Sequence, residues 1–202
     1  MFLDQQSKAT TARRSLVLLF ATLTLTGCAA WTTPAPAPAN NAPKILSAAS
    51  LGQTRSAQQI VRAAFGNKEA TMQCAVDVSP ARMQVVALNA MGLRLFSVKV
   101  ENGKTEVERS LGVPEQVQPE QILRDIQFCY WPLAVLQEGM RGSNWEITEP
   151  FAGTRRIKRD GRLIYEVHYA QPGADPWRTH LWLANFEFGY SLAVDPAPAD
   201  NE

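Results

Sequence analysis

Residues 95–110, LFSVKVENGKTEVERS, constrain this chain more than any other segment. Asn102 and Gly103 supply the two successive positive φ angles of a two-residue hairpin turn, and the alternation on either side makes the flanks antiparallel strands. That register sets Glu101 opposite Lys104, Lys99 opposite Glu106 and Val98 opposite Val107. Charges then pair on one face, while Phe96, Val98, Val100 and Val107 gather on the other. A sheet of such strands is wet on one side and apolar on the other, so something must cover the apolar side.

Further strands are predicted at AQQIVRAAF (57–65), EATMQCAVDV (69–78), RMQVVAL (82–88), NWEITE (144–149), THLWLANF (179–186) and GYSLAVD (189–195). A second hairpin, RRIKRDGRLIYEVHYA (155–170), turns at Asp160–Gly161 in one of two registers. A two-residue turn places Ile157 opposite Ile164. One more loop residue places it opposite Leu163, in line with Tyr165, Val167 and Tyr169. These segments suffice for one large sheet, and no internal repeat is visible.

One helix is predicted, PEQILRDIQFCYWPLAVLQEGM (119–140). Pro119 suits its first turn, Glu120 the positive end of its dipole and Gly139 its stop. Ile122, Ile126, Cys129, Leu133 and Leu136 recur at spacings of four, three, four and three. Such a stripe faces the sheet or a ligand. Trp131 precedes Pro132, which breaks or kinks the helix there. Strands plus one helical segment make the class α+β.

The chain opens with Lys8, Arg13 and Arg14, then an apolar run from Ser15 to Leu25, then Thr26 and Gly27 before Cys28. A basic start, an apolar middle and a small-residue exit form a secretory signal, too short for a permanent membrane span of roughly 20 residues. Of the 20 basic and 19 acidic side chains, three and one fall in residues 1–27, which leaves 17 against 18 and a net charge of −1. A nucleic-acid role needs a concentrated basic surface, and the balance argues against one. The cluster Arg155, Arg156, Lys158, Arg159 and Arg162 is read as the solvated ends of a hairpin, because Asp160 and Glu166 lie among its charges. Attraction to anionic headgroups is the other reading.

Residues 28–43, with prolines at 34, 36, 38 and 43, have almost nothing to bury and are expected to form an extended tether. Residues 44–195 have the length of one domain, and 196–202 are expected to be a flexible tail. Catalysis finds no motif: there is no G-x-S-x-G elbow, phosphate-binding loop or zinc pattern, and His168 and His180 fall at strand-like positions without metal-ligand spacing. No enzyme activity, cofactor or metal is expected. Cys74 and Cys129 either bridge in an oxidising compartment or remain two buried thiols.

Leu25, Thr26, Gly27 and Cys28 resemble the bacterial lipobox, which implies cleavage before Cys28 and lipidation of that residue. With Ala29 next, the resemblance implies sorting to the outer membrane. The order of NAMGLRLFSVKV, the NG hairpin, EQILRDIQFCYWPLAVLQEGM, a charged hairpin and a final strand pair resembles the outer-membrane lipoprotein receptor family LolB. It is also similar to LolB-like lipoproteins found beside aryl-polyene-type gene clusters, through Asp125, Gln127, Trp131, Pro132 and Leu133 and through Gly92, Arg94, Leu95 and Phe96. The resemblance implies a single curved antiparallel sheet, an incomplete LolA/LolB-like barrel with helices on its concave face. It also implies an acyl-chain cavity, which we expect to be lined by Phe96, Val98, Ile122, Ile126, Tyr130, Trp131 and Leu133. In LolB a protruding loop presents an apolar residue. Here Met91 occupies that place, following Ala90 where LolB has proline, and is the expected membrane or cargo contact.

The function so implied is acceptance of lipid or lipoprotein acyl chains from a LolA-like periplasmic carrier by a protein lipid-anchored on the periplasmic face of the outer membrane. The alternative is a non-catalytic envelope scaffold.

Overall fold

The computed structural model describes residues 42–110 and 118–198. The strands are β1 (Arg55–Phe65), β2 (Lys68–Ser79), β3 (Arg82–Leu88), β4 (Arg94–Glu101), β5 (Lys104–Arg109), β6 (Trp145–Phe151), β7 (Thr154–Arg159), β8 (Arg162–Tyr169), β9 (Leu181–Asn185) and β10 (Tyr190–Pro196). Helices α1 (Pro119–Tyr130) and α2 (Leu133–Met140) fall between β5 and β6, and 3-10 turns occupy Ala48–Leu51 and Pro176–Arg178. The strands form one antiparallel sheet in the order β5-β4-β3-β2-β1-β10-β9-β8-β7-β6. Its two meanders meet where β1 pairs with β10, and β5 and β6 are its edges. The fold is therefore α+β, one open ten-stranded antiparallel sheet with two helices.

The NG hairpin has the expected register, Val98 against Val107 and Glu101 against Lys104, with positive φ at Asn102 and Gly103. Its apolar face is divided, however: Val98 is buried, whereas Val107 is exposed with the rest of edge strand β5. The second hairpin follows neither predicted pairing. Asp160 and Gly161 make a two-residue turn, but a bulge between Ile157 and Lys158 shifts the register so that Ile157 faces Tyr165. Ile157, Ile164 and Tyr165 are all buried as a result.

The helical segment breaks at Trp131–Pro132, as the proline requires. Gly139 does not stop it, since α2 continues through Met140. The predicted stripe is also displaced. Ile122, Ile126 and Leu133 are only half-buried, and the buried positions of α1 are Gln121, Leu123, Asp125, Gln127, Phe128, Cys129 and Tyr130. Polar side chains take part of the inward face because the sheet offers partners for them.

A flat sheet would set β3 and β6 seven spacings apart, about 34 Å. Helix α2 packs on β6, α1 on β9, and the turn Ala48–Leu51 on β2 and β3. Two helices about 10 Å across and one short turn are together of that order, so they cover one face of the sheet.

Residues 1–41 lie outside the described part, so the predicted signal, Cys28 and nearly all of the tether are not described. The predicted tail begins too early. Pro196 still belongs to β10, opposite Gln59, and the Ala197 N–H donates to the Gln58 carbonyl at 2.8 Å. Pro196 is tolerated because pairing with β9 has ended at Val194, so its missing N–H is not needed there.

Candidate functional site

Helix α1 is tied to one half of the sheet by buried polar contacts. Gln121 Nε2 donates to Asp125 Oδ1 at 2.7 Å and to the Tyr165 hydroxyl of β8 at 2.5 Å. The Tyr190 hydroxyl of β10 donates to Asp125 Oδ2 at 2.6 Å and accepts from Asn185 Nδ2 at 3.2 Å. Burial pushes the Asp125 carboxyl up to about 7, against the lowering effect of hydrogen bonds from Tyr190 and Gln121 and of the Arg124 charge.

At the other end of α1, Arg155 of β7 donates to the Phe128 and Trp131 carbonyls at 2.6 and 3.0 Å and pairs with Glu149 at 2.7 Å. Tyr169 of β8 donates to the Cys129 carbonyl at 2.8 Å. These bonds satisfy carbonyls that the helix end leaves open, and they place positive charge at the negative pole of the dipole. Arg155 is therefore buried, not part of a solvated hairpin end. Its cluster neighbours are paired as well, Arg156 with Glu166 and Arg159 with Glu187. Gln59 of β1 adds a bond to the Tyr130 hydroxyl at 2.5 Å.

The other half of the sheet is different in kind. Its side chains facing the cover are Cys74, Val76 and Val78 on β2, Met83, Val85 and Ala87 on β3, and Phe96 and Val98 on β4, all apolar and buried. Residues 42–51, which we term the strap, run first along the helices, where Leu46 meets α1 and α2, and end in the turn Ala48–Leu51, which packs on β2 and β3 of this half with Leu51 buried. Gln127 clamps the strap by accepting from the Leu46 N–H at 3.0 Å and donating to the Leu46 carbonyl at 2.8 Å. The Trp131 indole N–H donates to Ser50 Oγ at 2.8 Å. Leu46 also fills a notch left by Gly139, where a Cβ would lie 2.6 Å from Leu46 Cδ2. That close approach accounts for a glycine inside α2.

The predicted cavity residues are thus distributed unevenly. Phe96, Val98, Tyr130 and Trp131 belong to one packed core, while Ile122, Ile126 and Leu133 flank it half-buried. Trp131, expected to line an open cavity, is 0 % exposed and packed into that core. The crevice between the strap and the helices, lined by Leu46, Phe128, Leu136 and Met140 among others, measures about 10 Å³. That is room for one water, not an acyl chain. Sequence reasoning missed the strap altogether, because residues 42–51 lack periodicity and the glycine that receives Leu46 reads as a helix stop.

Cys74 and Cys129 are free buried thiols, not a bridge, and burial pushes Cys74 up to about 12 and Cys129 higher still. His168 and His180 are half-exposed and each meets one carboxylate, Glu166 and Asp195 respectively, both at 2.7 Å. Among the described residues no three His, Cys, Asp or Glu side chains gather as metal ligands. No described helix is long and apolar enough to cross a membrane. Met91 stands at the β3–β4 turn, 78 % exposed, and does not fold back into the core. Asn89 Oδ1 accepts from the N–H groups of Met91 and Leu93 at 2.9 and 3.0 Å, so the side chain holds the turn in shape.

A family model described as a protein of unknown function, DUF3261, matches residues 56–198. The chain belongs to this family. The match takes in all of the sheet except the first residue of β1, together with both helices, and the DUF3261 core therefore includes the polar ties of α1 but not the strap. A solved structure from Vibrio parahaemolyticus, provisionally titled an outer membrane lipoprotein-sorting protein domain, is similar at 10% identity. It covers 71% of this chain and 83% of its own, with a TM-score of 0.39. No curated protein matches the chain.

Proposed function

We propose that this DUF3261 protein binds the acyl chains of a lipid or lipoprotein on the apolar face of β2–β4, where they replace the strap. One observation carries the reading: that half of the sheet is uniformly apolar toward the cover, and the strap, whose last turn lies over it and whose first part runs along the helices, is held by a handful of bonds and the side chains of Ile45, Leu46 and Leu51. Full burial of Leu51 and partial burial of Ile45 and Leu46 contribute about 3–6 kcal/mol in all. A hydrocarbon tail of roughly a dozen methylenes contributes about 10 kcal/mol at 0.8 each. The tail can thus displace the strap. Exchange therefore needs no catalytic group, and the polar ties keep α1 on β7–β10 while the strap leaves.

In this reading Cys28 carries the lipid anchor, the domain works at the periplasmic face of the outer membrane, a LolA-like carrier delivers the cargo, and Met91 touches membrane or cargo. A polyene lipid is one cargo consistent with the gene neighbourhood that the sequence resemblance implies. The second reading is a non-catalytic envelope scaffold, favoured by the packed interior around Trp131.

Titration of a fluorescent fatty acid into the full-length protein tests the proposal. Saturable binding is expected, tightened about tenfold by Leu46→Ser, which removes roughly 1.5 kcal/mol of strap burial. If neither protein binds saturably, the scaffold reading replaces it.

A further inference from the structure

The apolar residues that escape the core are not scattered. Seven large apolar side chains are exposed among the described residues, and five of them, Phe65, Met91, Leu93, Phe186 and Phe188, sit at one end of the sheet, 43 to 78 % exposed. The registers establish this. Phe65 ends β1 opposite Lys68 and Tyr190, the starts of β2 and β10, and Tyr190 faces Asn185, the end of β9. Leu88, which leads into the β3–β4 turn, lies opposite Gln73, nearer the start of β2 than its end. Three turns therefore point the same way.

Two of these turns are stiffened by the same device. Asn89 braces the Met91 turn, and Asn185 Oδ1 accepts from the N–H groups of Glu187 and Phe188, both at 3.0 Å. Asn185 is itself buried and bonded to Tyr190, so the β9–β10 turn is fixed from inside the core. Apolar tips held rigidly in water lose hydration free energy without ordering a loop when they meet a hydrocarbon phase.

The charges at this end are complementary to an anionic surface. Segments 66–69, 89–94, 158–162 and 186–189 hold Lys68, Arg94, Lys158, Arg159 and Arg162 against Glu69, Asp160 and Glu187. The β1–β2, β3–β4 and β9–β10 turns are balanced among themselves, Lys68 and Arg94 against Glu69 and Glu187, and the β7–β8 turn beside them, with Lys158, Arg159 and Arg162 against Asp160, makes this end net positive, in a chain that is net −1 once residues 1–27 are set aside.

We propose that the β1–β2, β3–β4 and β9–β10 turns form one bilayer-contacting rim, in which Phe65, Phe186 and Phe188 enter an anionic lipid surface alongside Met91. The rim deepens the acyl-binding reading by giving the domain a membrane-facing end, but it stands or falls by a separate measurement. That measurement is flotation with phosphatidylethanolamine–phosphatidylglycerol vesicles, using residues 28–202 with Cys28→Ser so that neither the apolar run Ser15–Leu25 nor a lipid anchor contributes. The parent is expected to float with the vesicles, and Phe186→Ser/Phe188→Ser to bind roughly tenfold more weakly, the equivalent of about 1.4 kcal/mol. Its unfolding midpoint and fatty-acid titration should be unchanged. Phe65→Ser, on a separate turn, should weaken flotation in the same direction. Loss of fatty-acid binding with flotation retained would defeat the acyl-binding reading alone. The rim is overturned if the double variant floats like the parent, if the parent does not float, or if the phenylalanines instead support a concentration-dependent dimer seen by light scattering.

Discussion

Trp131→Ala should lower the unfolding free energy by about 3–5 kcal/mol, the cost of a large aromatic removed from a core that cannot collapse around the gap. Trp131 is fully buried between the helices and the sheet, and its indole N–H holds Ser50 of the strap. The loss is therefore twofold, a cavity in the core and a freed strap. Ile126→Ala provides the comparison. Ile126 belongs to the stripe that sequence periodicity selects, yet it is half-buried and should cost roughly 1 kcal/mol, scaled to its partial burial. Denaturant unfolding of both variants decides the matter. Equal losses would mean that the helix turns the face its sequence periodicity indicates toward the sheet.

The second large effect depends on pH. Asp125 is fully buried between α1 and the sheet, and its carboxyl is raised from 3.8 to about 7 in the folded protein. An acid whose pKa is higher folded than unfolded binds more protons in the native state between those two values. Stability must then fall as pH rises from about 4 to about 7, and the full penalty remains above that. Three units correspond to about 4 kcal/mol. Asp125→Asn carries no ionisation penalty: its Oδ1 can accept from the Tyr190 hydroxyl, and its amide N–H can donate to Gln121 once that side-chain amide turns its oxygen inward. The variant should be more stable than the parent at pH 8, by up to about 4 kcal/mol, with the gap closing toward pH 4. A gap of constant size across that range would show that the carboxyl is not desolvated as described.

How far the sequence discloses this molecule depends on which forces act locally. The hairpin at Asn102–Gly103 was readable because the turn demands two positive φ angles and the cross-strand charges agree with it. The break at Pro132 was readable for the same kind of reason, since proline acts through its own ring. The bulge at Ile157 was not, because it is set by the need to bury Ile157, Ile164 and Tyr165 together against distant partners. The orientation of α1 was missed for a related reason. Periodicity counts apolar residues, whereas Gln121 and Asp125 are turned inward by Tyr165 and Tyr190, 44 and 65 residues away along the chain from Gln121 and Asp125 respectively. An amide and a carboxylate four apart, Gln121 and Asp125, in line with Phe128 on one helix face were the available sign of a buried polar tie. Arg155 shows the same limit in reverse: a basic run reads as solvent-facing until the open carbonyls of Phe128 and Trp131 are brought beside it.

The site itself divides along the same line. Phe96 and Val98 are interior by the alternation of their hairpin, and Tyr130 and Trp131 through the family resemblance, but neither could tell a lined cavity from a filled core. Packing decides that, and here the filling is the protein's own strap and indole. Cargo entry therefore requires movement where an open hollow would have required none, and the mobile element has to be the one held least firmly.

A disulfide across the strap tests this most directly. Leu46 and Gly139 approach closely enough that a side chain on residue 139 meets Leu46, so Leu46→Cys/Gly139→Cys can be joined by oxidation. The oxidised protein should lose saturable fatty-acid binding and regain it on reduction. Equal affinity in the two redox states, with the crosslink verified by mass spectrometry, would show that the cargo does not enter beneath the strap.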